Sequence, residues 1–345
     1  MVSQDSGGAK SHGLKEEFSV ALGTYNGEQH LQAQLDSIAA QTHLPAELVV
    51  GDDGSTDRTI EILERFAARA PFPVHIVQNA ENLGYGENFL QTASRCTSSW
   101  VAFCDQDDIW MENKLATIAG IIAKNRDVGV VVHELTAVDE DLNPISTHAM
   151  SIRFSRRVSA TRGYYRVYLG LAIVFKRNLL DLVDWRHRPE HPAMDTKWTH
   201  DGWLSVLAFA MTDRYLSTDS LGLYRRHGNN VSHFDNPGLA LKLARVSTTA
   251  SDFYLLESQI TSRLAQWFSD YATGLKPAEA VPVLQASAAF DRVSRIYLAR
   301  REMYDSKSFA RRLVLITKIF TTKGYLGYFR VNDYVKDFVR TFVGR

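Results

Sequence analysis

Three carboxylates, Asp105, Asp107 and Asp108, stand within one short stretch directly after the apolar run Trp100-Val101-Ala102-Phe103. Carboxylates crowded in this way repel, and each raises its neighbours' pKa unless an opposite charge intervenes. A divalent cation is one such charge. Mg2+ and Mn2+ take hard oxygen ligands, commonly one or two carboxylates with substrate phosphates completing the shell. The same residues also suit an acidic surface turn that caps the following helix, and the cluster alone leaves both readings open. Cys104 beside it and Cys96 are the two cysteines of the chain, too few for a disulfide framework or a CxxC metal site.

Further polar clusters end other apolar runs: Thr24-Tyr25-Asn26-Gly27-Glu28, Asp52-Asp53, and Asn82-Leu83-Gly84. Side chains at the carboxyl ends of adjacent parallel strands converge on one crevice. A carboxylate there can accept the N3–H of uracil or thymine. Asx turns and a helix cap explain part of Asp52 to Asp57, but a second adjacent Asp is more than a cap requires. The glycines of Gly84-Tyr85-Gly86-Glu87-Asn88-Phe89 lack the third member of a dinucleotide-binding turn, and there is no Walker A loop.

The elements that must carry these groups follow from periodicity. Phe18–Leu22, Glu47–Val50, Val74–Val77 and Trp100–Phe103 read as buried strands, with helices between them built on Leu31/Leu35/Ile38 and Ile60/Leu63/Phe66. Repeats of about 25–30 residues per unit predict a doubly wound, mostly parallel α/β sheet flanked by helices. Further on, the spacing predicts a helix over 114–124, a strand over 128–133, a polar loop over 139–162, a strand over 168–175, a helix over 201–211 and a strand over 214–223. A largely helical appendage then runs from 236 to 345. Residues 1–17, rich in Ser, Gly and Lys, read as a disordered N-terminus.

The 345 residues are 45% hydrophobic and 23% charged with zero formal net charge, an ordinary globular composition with no bulk-charge argument for nucleic acid. There is no signal-peptide core, and no apolar run approaches the ~20 residues that span a bilayer. From Arg300 onward bases outnumber acids and alternate with Phe309, Leu313, Ile316, Ile319, Phe320, Tyr325 and Phe329. This pattern suits a basic amphipathic helix on an anionic membrane, and equally a helix packed on the main domain with its bases in solvent.

The ordered segments ALGTYNGEQHLQAQLDSIAAQT, VVGDDGSTD, NLGYGENF and FCDQDDIWMENKL resemble the family-2 glycosyltransferases of GT-A fold, over roughly Phe18 to His227. His200-Asp201-Gly202-Trp203-Leu204 and the stretch from Leu223 to Val231 are similar to later motifs of bacterial rhamnosyltransferase-like members. Gly202 departs from them, since such members often carry an aromatic residue there. The resemblance implies a GT-A domain over 18–235 and an inverting transfer of a hexose from a nucleoside diphosphate sugar to a hydroxyl of a cell-surface or lipid-linked glycan. Rhamnose from dTDP-rhamnose is the first expectation, a UDP-hexose the next. It makes Asp107 and His227 ligands of Mn2+ or Mg2+, and Asp201 the base. Asp52 would read the base and Asp53 the ribose. Thr24, Tyr25, Asn26, Glu28, Asn82, Gly84, Asn88, Asp105 and Gln106 complete the nucleotide-sugar pocket. A cytoplasmic protein, free or peripheral at the inner face of the plasma membrane, is expected, with no nucleic-acid partner. The rival readings are a non-catalytic sugar-nucleotide-binding or scaffold subunit and a nucleotidyltransferase. The latter would usually carry a basic residue in the first turn, which Gly23 to Glu28 lacks.

Overall fold

A computed structural model describes residues 16–162, 165–194, 196–227, 250–321, 337–339, 341 and 342. Most of the expected disordered N-terminus, the motif residues Gly228 to Val231, the expected boundary near residue 235 and the aromatics Tyr325 and Phe329 lie outside the described residues. The first half alternates strand and helix: β1 (Phe18–Thr24), α1 (Leu31–Ala39), β2 (Glu47–Asp52), α2 (Thr59–Ala67), β3 (Val74–Gln78), α3 (Tyr85–Arg95) and β4 (Trp100–Cys104). The second half holds β5 (Ile109–Trp110), α4 (Lys114–Lys124), β6 (Val128–Val138), β7 (Pro144–Ser146), β8 (Arg156–Val158), β9 (Ile173–Lys176), α5 (Leu179–Leu182), α6 (His200–Ala210) and β10 (Asp213–Arg225). Helices α7 (Ala250–Ala272), α8 (Pro277–Asp305) and α9 (Phe309–Thr321) follow.

Every residue of β1, β2 and β4 is buried. That explains continuous apolar runs instead of alternating ones, because helices cover both faces of this part of the sheet. The period-2 geometry of a strand then sorts side chains between two cores. Val20, Leu22, Leu48, Val50, Trp100 and Ala102 pack with α1, α2 and α4. Ala21, Val49, Val101 and Phe103 pack with α3 and α6 on the opposite face.

The ten strands run β3-β2-β1-β4-β9-β6-β10-β5, with β7 on β6 and β8 on β10. Pairing is parallel from β3 to β4 and between β6 and β10, whereas β9 and β5 pair antiparallel to their neighbours. The sheet is therefore mixed beyond β4. The chain steps outward from β1 to β3 and returns to lie beside β1 as β4. This reversal of strand order is a topological switch point, and the crevice outside it is where ligands of open α/β sheets bind.

The polar segment 139–162, read as loop, contains the short strands β7 and β8. The stretch 168–175, read as strand, opens with a tight turn at Gly170–Ala172 before β9. The C-terminal helices belong to the same core as α3 and α6. Trp203 stacks on Phe268 of α7, and Phe209 meets Phe290 of α8 at 5.1 Å between centroids.

Candidate active site

The loops after β1, β2, β3 and β4 meet at the switch point. Thr24, the last residue of β1, donates to Asp52 Oδ1 at 2.9 Å. Asp52 Oδ2 accepts from the Gly54 and Ser55 N–H groups, and Ser55 Oγ donates to Oδ1. Asp53 Oδ1 accepts from the Leu83 N–H and Asn79 Nδ2, and Oδ2 from the Gly84 N–H at 2.8 Å. Both carboxylates are buried. Buried charge is tolerated only when hydrogen-bonded in this manner. Asp52 thus shapes its own turn, and Asp53 ties that turn to the loop after β3.

Asn82 adds to the same tie, donating to the Asp53 carbonyl and accepting from the Gly84 N–H. Gly84 has φ of 80°, in the left-handed region glycine favours. Asn88 faces the sheet and not the crevice. It donates to the Gly51 carbonyl at 2.7 Å and accepts from Asn79, and it is 2% exposed. Its amide is spent on holding α3 to β2.

Tyr25, Asn26 and Glu28 rim the crevice. Asn26 Oδ1 accepts from the Thr56 N–H, and Glu28 Oε2 from the Arg58 N–H. Gln106 bridges this rim to the acidic loop, its amide accepting from the Tyr25 N–H at 2.9 Å and donating to the Tyr25 carbonyl at 3.1 Å. A Cβ on Gly27 would fall 2.3 Å from Gln106 Oε1, so this bridge uses the space a glycine leaves. The Tyr25 ring itself stays exposed.

The acidic loop is suspended between β4 and β5. Because β5 pairs with Gly222 and Leu223 of β10, the end of β10 is delivered to it. The Arg225 N–H donates to Asp108 Oδ1 at 2.9 Å, and Arg225 Nε to the Asp107 carbonyl at 3.0 Å. Just beyond, His227 Nε2 lies 2.9 Å from Asp107 Oδ2. Burial, then the charges of Asp107 and Asp201, push the Asp105 carboxyl up to about 8. Asp108 is also raised, by burial first.

Asp201 approaches from the opposite core, in the first turn of α6. Its Oδ1 accepts from Thr199 Oγ1 at 2.5 Å and the Gly202 N–H at 2.7 Å, while Oδ2 makes no such bond among the described residues. The approach is set by Gly86, whose bare α-carbon lets α3 close on Thr199. It is also set by buried Arg188, which donates to the Trp185 and Trp198 carbonyls and to Glu87. Sequence reasoning missed three neighbours. The His30 ring lies 5.1 Å from that of His227, and burial, then Arg225 and His227, lower its pKa. Tyr85 opens α3 with an exposed ring, its phenol raised by burial and by Asp201. Lys114 is buried behind the acidic loop. For His30, the one signal was its place two residues after the Thr24–Glu28 cluster.

Residues 19–181 match the family described as glycosyl transferase family 2. An uncharacterized glycosyltransferase of Nostoc sp. is 28% identical over 219 residues, which is 62% of this chain and 66% of that protein. An uncharacterized protein of Mycobacterium tuberculosis is 25% identical over 227 residues, 63% of this chain and 60% of that protein. The match thus spans less than two thirds of either relative's length. The dTDP-rhamnosyl transferase RfbG of Shigella flexneri is 34% identical over 98 residues, 27% of this chain and 34% of that protein. Residues 1–349 of S. aureus TarS superpose with a TM-score of 0.54 at 19% identity, covering 94% of this chain and 80% of that one. In the crystal of TarS with UDP-GlcNAc the TM-score is 0.52 at 17% identity, over 90% and 89%. The similarity to glycosyl transferase family 2 thus lies in residues 19–181, and the chain shares the GT-A fold of these structures, with C-terminal helices.

Proposed function

We propose that this chain is a metal-dependent inverting glycosyltransferase, moving a hexose from a nucleoside diphosphate sugar to a hydroxyl of a growing cell-surface polysaccharide or lipid-linked glycan. The observation that carries the reading is the meeting of distant segments at the switch point. Asp107 pairs with His227 from the end of β10, and Asp201 on α6 lies near enough to Asp105 for its charge to act there.

Asp107 and His227 offer a carboxylate oxygen and an imidazole nitrogen side by side, a donor set that Mn2+ or Mg2+ accepts. No group of three or more His, Cys, Asp or Glu side chains converges to hold a metal among the described residues. When bound, such a cation stabilises the departing nucleoside diphosphate. Asp201 then supplies the other end of the reaction. With Oδ1 fixed by Thr199 and Gly202, Oδ2 takes the proton of the acceptor hydroxyl as its oxygen attacks the anomeric carbon from the face opposite the leaving group. The Gln106 bridge keeps the Tyr25 rim and the acidic loop at one separation, which fixes where the nucleotide lies relative to Asp107.

dTDP-rhamnose is the first donor to test, because the Shigella flexneri relative carries that name. UDP-linked hexoses come next, since TarS has been crystallised with UDP and UDP-GlcNAc. No helix among the described residues is long and apolar enough to cross a membrane, and the proposed place of action is the inner membrane face, reached peripherally through α9. A thermal-shift screen of dTDP, UDP, GDP and their sugars, with and without Mn2+, tests the reading. The preferred nucleotide at 100 times its Kd adds about 2.7 kcal/mol. The Mn2+-dependent part of that gain is absent in Asp107→Ala. A wild-type protein that responds to none of these nucleotides overturns the proposal.

A further inference from the structure

Lys114, the first residue of α4, lies entirely out of solvent, a position lysine almost never takes unless paired. Its Nζ donates to the Leu171 carbonyl at 2.9 Å and sits 3.7 Å from the centroid of the Trp110 ring. Burial draws its pKa from 10.5 down to about 7, and Cys104, Asp108 and Asp105 act against that fall by favouring its charged form. On the facing side, Asp108 Oδ2 is buried without a hydrogen-bond partner among the described residues, although Oδ1 is held by the Arg225 N–H. A buried ammonium and a half-satisfied buried carboxylate therefore stand in each other's field beneath the acidic loop. The reaction proposed above uses neither.

We propose that Lys114 is a positioning residue of the metal site: its buried ammonium is a resident countercharge that holds the Asp105–Asp108 loop in place before a cation arrives and keeps cation affinity moderate. The inference rests on the metal-dependent reading given above. Charges away from water are weakly screened and act over several ångströms. A positive charge behind the loop offsets carboxylate repulsion and at the same time opposes a second positive charge in front of it. Moderate affinity matters because release of product often limits turnover.

The test is Mn2+ binding to the full chain in the presence of UDP or dTDP, measured by titration calorimetry, for wild type, Lys114→Gln and Lys114→Met. Gln keeps a donor for the Leu171 carbonyl and loses the charge; Met loses both. Both variants are expected to bind Mn2+ about tenfold more tightly, with a lower melting temperature in its absence and a larger rise on its addition. A role limited to the Leu171 hydrogen bond predicts otherwise. Gln would then match wild type, and Met would lose stability equally with and without Mn2+. That result, or unchanged or weaker Mn2+ binding in folded Lys114→Gln, overturns the inference while leaving the metal reading intact. If Lys114→Met does not fold, Lys114→Gln alone decides. A wild type that takes up no Mn2+ with either nucleotide removes the metal reading and the Lys114 inference together.

Discussion

Asp201 is presented by two bonds to one oxygen, which leaves the other oxygen oriented and available. Asp201→Asn keeps the shape and the Thr199 contact but removes the proton acceptor. Turnover is expected to fall by ~10²–10⁴ while donor binding, read by calorimetry, stays as in wild type. Turnover close to wild type would reduce Asp201 to a helix cap. Its neighbour His200 has a different role. It is buried between Phe89, stacked at 4.1 Å, and the edge of Phe103, and neither ring nitrogen has a hydrogen-bond partner among the described residues. Burial draws its pKa from 6.5 down to about 4. Between those values the unfolded chain binds a proton at this site and the folded chain does not. Stability is therefore full above 6.5 and is lost as pH falls toward 4, by at most about 3 kcal/mol. His200→Phe removes that difference, so its melting temperature is expected to fall less steeply from pH 6.5 to 4 than that of wild type. Parallel acid limbs in the two proteins would show that the proton uptake lies elsewhere.

At the scale of elements, the crevice depends on how closely α3 seats on β2. Gly51 makes that possible: a Cβ there would lie 2.0 Å from Thr92 Oγ1 and 2.5 Å from Asn88 Oδ1. Both neighbours are buried and bonded in place, so they cannot swing aside cheaply. Gly51→Ala is expected to cost about 1–3 kcal/mol, the usual range for overpacking. It would appear as a lower urea midpoint at unchanged slope. A midpoint equal to wild type would mean that α3 is not held there. Strand β5 is a second case of an element placing a site. Its two residues are too few for any periodic signal, yet their pairing with β10 is what brings Arg225 and His227 to the acidic loop.

For the whole molecule, one hydrophobic core runs from α3 and α6 into α7, α8 and α9. Met303 is fully buried, and Arg300 forms a buried ion pair with Asp337, so removing the tail would open this core. The outer face of α9 is different. Phe309, Leu313 and Val314 are exposed there, and the segment from Ser306 to Thr321 carries Lys307, Arg311, Arg312 and Lys318 with no acid. Arg312 is buried, bonded to the Thr341 carbonyl, and Arg311 pairs with Glu302, which leaves a modest charge for lipid attraction at roughly 1 kcal/mol per base. Flotation with anionic vesicles at low salt is expected to carry the wild type and to leave behind the triple variant Phe309→Ser, Leu313→Ser, Val314→Ser, with release of the wild type at high salt. Wild type that stays unbound at low salt would assign α9 to packing alone.

The order of strand–loop units, the burial of the first strands on both faces and the acidic cluster were legible in the residues, because hydrophobic period and turn chemistry are short-range properties of the chain. So were Asp107, as one of the crowded carboxylates, and His227 and Asp201, though those two only through their resemblance to family motifs. Tertiary structure decided what each polar group touches. Asp108 meets Arg225, 117 residues away. Asn88 turns inward to the Gly51 carbonyl, and Asp52 and Asp53 spend their oxygens on neighbouring turns. Lys114 and His30 joined the site through the packing of α4 and α1. A carboxylate or an ammonium takes its role from the donors, charges and water around it. Those are set by which strands lie side by side, which no local pattern encodes.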